Sequence, residues 1–124
     1  MYVTDLSSAA KRELDGLVSH ILLEKGDAPG GELSITWVDV SPGGEQPPHS
    51  HGPQQVYVIT RGSGRMKVGD DEREVSTGQM VFIPPKTEHG IVNTGGETLT
   101  YISAATPAFP VTELYDAGQI SLSP

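Results

Sequence analysis

Residues 43–62, GGEQPPHSHGPQQVYVITRG, contain two of the four histidines of the chain, His49 and His51. Side chains on a β-strand alternate between its two faces, so histidines two positions apart lie on the same face. Their backbones are then about 6 to 7 Å apart, which lets both imidazoles reach one metal ion. The stretch therefore predicts a metal site on a strand. The alternative is a pair of solvent-exposed imidazoles beside proline-rich turns.

The composition limits what this site can be. The chain has 124 residues, no cysteine and a net charge of -8. This length predicts a single domain over residues 1–124. The absence of cysteine excludes disulfides, thiolate-bound zinc, iron–sulfur clusters and thiol nucleophiles, so a metal must be held by histidine, carboxylate or amide groups. The basic residues are scattered and the charge is acidic, which disfavours nucleic acid and membranes as partners.

The first residues, MYVTDLSSAAKRELDG, lack the pattern of a secretory signal. No apolar run approaches the ~20 residues that a membrane span needs. The predicted location is therefore the cytoplasm.

Short alternating or apolar runs recur along the chain, separated by turns rich in glycine and proline. Strands are predicted over residues 20–23, 32–40, 55–60, 65–68, 73–76, 80–85, 86–93 and 98–104. Residues 8–17 have a weak helical pattern. Many short strands with almost no helix predict an antiparallel sandwich or barrel, with room inside for about one small ligand.

Several predictions about packing accompany this strand pattern. Leu33, Ile35 and Trp37 share one face of their strand, and Trp37 and Phe82 are expected in the core. Residues 80–83 are apolar at four consecutive positions, which predicts a strand covered on both faces, by a second sheet or by a partner subunit. The tail from Thr106 is expected to pack along the outside.

Two sets of residues have spacings typical of one family: Gly43, His49, His51, Gln55 and Gly62, then Gly78, Pro84, His89 and Asn93. They follow the two motifs of the cupin superfamily, G(X)5HXH(X)3,4E(X)6G and G(X)5PXG(X)2H(X)3N. The motifs cover residues 43–62 and 78–93, with fifteen residues between them. The chain thus resembles a small single-domain cupin of the conserved-barrel (cupin-2) type. The resemblance implies an all-β double-stranded β-helix, also called a jelly-roll barrel, and a homodimer.

The resemblance also implies a ligand set. The residues at the motif positions that bind one divalent metal ion in the family are His49, His51, Gln55 and His89. Glutamine replaces the glutamate of the first motif here, and is either a direct ligand or an amide that hydrogen-bonds a metal-bound water. Strand geometry alone does not choose between Gln54 and Gln55, whereas the motif spacing chooses Gln55.

A second departure lies in the second motif, where Lys86 stands in place of a glycine. It falls in a turn that tolerates another residue. The remaining histidine, His20, is predicted to lie at the surface, outside any metal site.

Three imidazoles and an amide are all neutral, so the ion would keep its full double charge. It would act as a strong Lewis acid and attract an anionic substrate. Mn, Zn, Ni and Fe all suit such a ligand set, and the sequence does not choose among them. Glutamine accepts no proton at neutral pH, which disfavours the oxygenase and oxalate-degrading activities in which the motif glutamate is a ligand or base.

The sequence therefore predicts a metal-dependent enzyme whose ion acts as a Lewis acid on a small oxygenated molecule, in a lyase- or isomerase-like reaction. Small bacterial cupins with three histidines and one glutamine include ones similar to manganese-dependent hydroxynitrile lyases. The alternatives are a mononuclear non-haem metal dioxygenase and a non-catalytic small-molecule or sugar-binding cupin. Tyr57, which shares a strand face with Gln55, is either a cavity residue with a catalytic role or a core aromatic.

Overall fold

The computed structural model describes residues 1–117. The strands in this part of the chain are β1 (Ala10–Leu14), β2 (Leu17–Leu23), β3 (Ser34–Val40), β4 (Glu45–His49), β5 (Gln54–Arg61), β6 (Ser63–Val68), β7 (Asp71–Ser76), β8 (Met80–Ile83), β9 (His89–Val92) and β10 (Leu99–Thr106). One short helix, α1 (Val111–Asp116), follows β10. Within residues 1–117, no helix has the length and apolar character that a membrane crossing needs.

The strands form two antiparallel sheets. The six-stranded sheet has the order β1-β2-β3-β10-β5-β8, and the four-stranded sheet has the order β4-β9-β6-β7. Strands distant in sequence are neighbours in space: β4 pairs with β9 and β5 pairs with β8, so each motif segment contributes one strand to each sheet and the two segments lie side by side. The all-β antiparallel jelly roll confirms the predicted fold class.

The core lies between the inner faces of the two sheets and changes character along the barrel. At one end the six-stranded sheet contributes Val40 and Leu99, which are fully buried. Four residues from Val40 along β3, the inner row consists of Thr36, Ser103 and Tyr57, aligned across three strands. The apolar end is packed core, and the polar end contains a cavity.

The helix predicted over residues 8–17 is wrong, because this segment forms a β-hairpin. β1 pairs with β2 from Ala10 opposite Ile21 to Leu14 opposite Leu17. The two-residue turn between them is Asp15 and Gly16, with Gly16 at a φ of 81°. Asp-Gly is a favoured hairpin turn, since glycine adopts positive φ without steric cost, and this local signal outweighs the weak helical pattern.

Two aromatic residues lie outside the predicted core. The residues that alternate with Trp37 on β3 face inwards, so Trp37 is on the outer face of the six-stranded sheet and is only half-buried. Phe82 is 52% exposed. β8 is therefore not covered on both faces within the described chain: Ile83 is fully buried, whereas Met80 is 58% exposed. The second sheet covers one face of β8 and leaves the other open.

The segment after β10 does not lie along the outside of the fold as expected, but closes the polar end of the barrel. The Glu24 carboxylate accepts hydrogen bonds from the backbone N–H of Thr112, at 2.8 Å, and from its hydroxyl, at 2.6 Å. The Arg12 guanidinium donates to Asp116 at 2.7 and 3.0 Å. The N-terminal hairpin thus holds α1 in place. Residues 118–124 of the predicted tail lie outside the described residues.

Candidate metal centre

Three histidines come together at the polar end of the barrel. His49 ends β4, His89 begins β9, and the two residues lie opposite each other in the ladder, with His51 just beyond. The ring centroids are 4.3 Å apart for His49 and His89, 5.2 Å for His51 and His89, and 5.7 Å for His49 and His51. One ring nitrogen from each histidine lies within 4.8 Å of the others. The three residues form a candidate metal site.

A bulge in β4 turns His49 into the barrel. Gln46 is paired with Ile91 and His49 with His89, so β4 has one more residue than β9 between these pairs. Residues three apart on a regular strand point to opposite faces, but here Gln46 and His49 line the same cavity. The bulge lies at Pro47 and Pro48. Proline has no N–H for a ladder, and β4 is an edge strand, where this is tolerated.

Gly90 of β9 lies beneath this bulge. A Cβ atom at Gly90 would lie 2.8 Å from the carbonyl oxygen of Gln46 and 3.0 Å from the nitrogen of Pro48. Any other residue would therefore push the two strands apart and separate His49 from His89. The glycine sets the distance between the two neighbouring strands, β4 and β9, that carry these histidines.

Each imidazole is oriented by a backbone carbonyl group. The distances from Nδ1 to the carbonyl oxygen are 2.9 Å from His49 to Pro47, 3.1 Å from His51 to Pro53, and 2.8 Å from His89 to Thr87. A carbonyl oxygen only accepts, so each Nδ1 carries the proton and each Nε2 keeps its lone pair. Metal-binding histidines are held in the same way, with the other ring nitrogen donating to an acceptor.

Burial keeps the three imidazoles neutral. Burial, assisted by the neighbouring His49, lowers the pKa of His89 to about 3. Burial also lowers the pKa of His49 and of His51 below the usual 6.5. Neutral imidazole is the form that binds a metal ion, so near pH 7 no proton has to be released first.

Gln55 reaches the same cavity from β5, in the opposite sheet. Its amide nitrogen donates to the Ser103 hydroxyl at 3.1 Å. Its oxygen, Oε1, is buried and has no hydrogen-bond partner among residues 1–117, and the same is true of Nε2 of His89. A buried polar group without a partner costs about 1–3 kcal/mol. A divalent cation would satisfy both atoms at once, so the residues fit the metal that the motifs imply, with nitrogen and oxygen donors.

Tyr57 lies behind the histidines. Its ring is stacked on Tyr101, with the centroids 4.2 Å apart, and meets His89 edge-on at 5.9 Å. Burial raises the pKa of both tyrosines, so the Tyr57 hydroxyl stays protonated. Tyr57 is both a core aromatic and a lining residue of the cavity. It can donate a hydrogen bond there but is a poor base.

Eight residues of the cavity wall were not among the predicted site residues: Thr36, Val38, Gln46, Tyr101, Ser103, Phe109, Val111 and Tyr115. Phe109 stacks on the His51 ring at 5.1 Å, and the Tyr115 hydroxyl is 2.8 Å from the Ser19 hydroxyl. The only feature of the sequence that sets Phe109 apart is its place between two prolines. Gln46 can be assigned to the cavity only if the bulge in β4 is known. No Asp, Glu, Lys or Arg of residues 1–117 lines the cavity.

The cavity is small. About 30 Å³ is accessible to the centres of water molecules. This is room for an ion with one or two small ligand atoms.

Lys86 and His20 complete the predicted positions. Lys86, at the motif glycine, has a φ of 60°, a conformation that costs most residues about 1–2 kcal/mol. Its N–H donates to the carbonyl oxygen of His51 at 2.9 Å, so the strained turn ties the two motifs together. His20 is on the outer face, with its side chain 16% exposed and Nε2 4.0 Å from the Asp39 carboxylate, and it is not part of the histidine cluster.

The family model for the cupin domain matches residues 36–105, which is more than half of the chain. The chain belongs to the cupin family. This cupin is 30% identical over 96 residues to an uncharacterized protein of Methanocaldococcus jannaschii, which covers 77% of each chain. It is 29% identical over 71 residues to the dimethylsulfoniopropionate lyase DddW of Ruegeria pomeroyi, covering 57% of this chain and 47% of the lyase.

One similar solved structure also shares a quarter of its aligned residues with this chain. The polyketide cyclase RemF from Streptomyces resistomycificus superposes with a TM-score of 0.72 and 26% identity, over 89% of this chain and 82% of the cyclase.

Proposed function

We propose that this cupin is a divalent-metal-dependent enzyme acting on a small oxygenated organic molecule, in a lyase- or isomerase-like reaction. The proposed ligands are His49, His51, His89 and the amide oxygen of Gln55. A divalent ion bound there would polarise a carbonyl, hydroxyl or enolate oxygen. The identity of the ion, among Mn, Zn, Ni and Fe, is left to experiment.

One observation carries this proposal. Three imidazoles, each oriented through Nδ1 by a backbone carbonyl, converge where two buried atoms, Nε2 of His89 and Oε1 of Gln55, lack partners among residues 1–117. A structural histidine cluster would satisfy these atoms with hydrogen bonds to the protein. Because the donor set comes from both sheets and leaves room for a further ligand atom, it resembles catalytic rather than structural metal sites.

The protein's own residues define the environment of the reaction. The hydroxyls of Tyr57 and Ser103 and the aromatic ring of Phe109 border the cavity, and no charged side chain among residues 1–117 does so. The ion's charge would thus be balanced mainly by the bound molecule, which favours an anion or a group that becomes one during the reaction. Two similar proteins, a lyase and a cyclase by name, support a reaction that consumes no oxidant.

The direct test is metal content. Protein expressed without added metal is analysed for transition elements, and the stripped protein is titrated with Mn, Zn, Ni and Fe(II) while its melting temperature is followed. We expect about one equivalent of one metal and a rise in melting temperature on reloading. Less than a tenth of an equivalent of any metal, together with no binding or stabilisation by added metal, would overturn the proposal.

Two further measurements separate the alternatives. Oxygen consumption by the reloaded protein with diols, diketones and flavonols would favour the dioxygenase. A ligand that raises the melting temperature, is recovered unchanged and binds His89→Ala as tightly as wild type would favour a non-catalytic binding protein.

We further propose that two copies of this chain pair through the outer face of the six-stranded sheet. Part of this face is apolar, with the side chains aligned in two rows across four strands: Trp37, Ile102, Val58 and Met80 in one, and Ile35, Ala104, Val56 and Phe82 in the other. The two rows hold no charge, so two copies of a chain with net charge -8 can approach there without bringing like charges together. Exposed apolar surface of this kind marks an interaction site. Light scattering at micromolar concentration should give the mass of a dimer, and a monomer would contradict the pairing.

A further inference from the structure

Gln46 is a buried polar residue of the cavity that is not a defined position of either motif. Its side chain is 3% exposed, and its amide nitrogen has no hydrogen-bond partner among residues 1–117. It lines the same cavity as His49, His51 and Gln55. Since a buried N–H without a partner costs about 1–3 kcal/mol, its presence beside a binding cavity indicates that a ligand supplies the acceptor.

The backbone fixes this position closely. The β4 bulge places Gln46 on the inner face together with His49, although three positions separate them. Gly90 brings β9 against the Gln46 backbone, so β4 has little freedom to rotate the side chain away. The amide and the His49 imidazole therefore enter the cavity from the same short segment of one strand.

The charge of the cavity determines the chemical class of the ligand. The four proposed metal ligands are neutral, and no charged side chain among residues 1–117 lines the walls. An anion is the natural partner for the ion. A carboxylate has two oxygens, of which one can bind the metal while the other remains to accept a hydrogen bond.

We propose that Gln46 donates a hydrogen bond to the second oxygen of a small carboxylate or similar anion whose first oxygen is bound to the metal. This inference rests on the proposed function, because it requires an ion at the histidine cluster. Gln46 is then a ligand-binding residue that selects molecules with two oxygen atoms close together. The small cavity restricts the group bound beside the ion to a few non-hydrogen atoms.

The test uses protein loaded with Co(II), with acetate as the probe and visible absorption as the signal for both binding steps. Gln46→Leu keeps the size of the side chain and removes the amide. The matched control is Gln54→Leu, since Gln54 is exposed and does not line the cavity. We expect Gln46→Leu to bind cobalt within about twofold of wild type and acetate about tenfold more weakly, the usual effect of losing a hydrogen bond to a charged group. Gln54→Leu should match wild type in both.

The outcomes separate this inference from the proposed function. Equal acetate affinity in wild type and Gln46→Leu, or no acetate binding to cobalt-loaded wild type, would overturn the role of Gln46 and leave the metal proposal standing. Weakened cobalt binding in Gln46→Leu would also overturn it, because Gln46 would then act on the metal. Failure of wild type to bind cobalt and also Mn, Zn, Ni and Fe(II) would overturn both.

Two measurements cover the case in which the variant folds poorly. The metal-free Gln46→Leu protein should melt at or above the wild-type temperature, since leucine removes a buried amide without a partner. In zinc-loaded wild type, the side-chain NH₂ resonances of Gln46 should shift on addition of acetate while those of Gln54 do not. Unchanged Gln46 resonances would count against the proposal.

Discussion

Near the candidate metal centre, the six-stranded sheet is polar on its inner face and apolar on its outer face, the reverse of the arrangement in most soluble proteins. Towards the metal centre the inner face has a polar row of Thr36, Ser103 and Tyr57, while the outer row beside it is Trp37, Ile102, Val58 and Met80. Water normally favours the reverse arrangement. The inner polar groups border the candidate metal centre, and the outer apolar groups form the face through which we propose that two copies of the chain pair.

The two faces should therefore respond separately to substitution. A change on the inner face should alter metal or ligand binding and leave assembly intact, and a change on the outer face should do the reverse. The predictions below test this separation.

The largest effect is expected for His89→Ala on the inner side. The variant loses one of three nitrogen donors, and its affinity for zinc should fall by at least about 100-fold, since removing even an outer partner of a metal ligand costs 10–100-fold. Competition with a chelator measures this. His20→Ala is the matched control, because His20 lies outside the cluster and should leave the affinity unchanged. Wild-type affinity in His89→Ala would exclude the site.

On the outer face, Phe82→Lys should weaken the dimer. A charge within the apolar contact is expected to cost at least about 2 kcal/mol, or roughly 30-fold in the dissociation constant, as at an interface hot spot. Sedimentation velocity over a range of concentrations measures this. The control is Val92→Lys, because Val92 is 37% exposed on the other sheet. Metal affinity should be unchanged in both variants. Weaker metal binding by Phe82→Lys would contradict the expectation that the two faces respond independently.

Gln55→Glu restores the residue of the motif and introduces a charge beside the ion. The attraction between a carboxylate and a divalent cation should raise metal affinity at least about tenfold. This corresponds to about 1.4 kcal/mol, which is less than the attraction between opposite charges a few ångströms apart in a protein. Calorimetric titration measures the change. Gln54→Glu, one position away on the exposed face of β5, should raise it far less. Equal effects of the two substitutions would mean that residue 55 does not contact the ion.

The smallest effect is expected for Ser103→Ala, which removes the acceptor that orients Gln55. Loss of one neutral hydrogen bond corresponds to about 1 kcal/mol, or roughly fivefold in metal affinity. The same substitution made in a Gln55→Leu protein should have no further effect, because the interaction is already absent. Additive losses in the double variant would show that Ser103 acts independently of Gln55.

The sequence predicts the parts of this protein that depend on local spacing. Most of the strands, the turns and the identity of three convergent histidines follow from short patterns, whereas β1 was predicted as part of a helix. His89 could be paired with His49 through the motifs. Local patterns do not show which face of each strand points into the barrel. Trp37 and Phe82 look like core residues because apolar side chains normally face inwards, and only the packing of the two sheets shows that they do not.

Two further features depend on contacts between distant segments. The segment after β10 has no periodic pattern, and its place over the metal centre depends on Glu24 and Arg12, some ninety or more residues earlier. The turn residues Asp15 and Gly16 are a local signal for the hairpin, and this signal competes with the weak helical pattern of residues 8–17. The sequence does not predict that Gln46 lines the cavity, because strict alternation along a regular strand places it on the opposite face from His49.

The bulge at Pro47 and Pro48 has a consequence for comparing sequences within the family. Alternation along β4 changes phase there, so a face assigned by counting from His49 is inverted for Gln46 and every earlier position of the strand. A related chain with one residue fewer between these positions would keep both side chains in the cavity on a regular strand. An alignment that places a gap at the bulge would thus conserve the geometry, whereas an ungapped alignment would pair inward residues with outward ones.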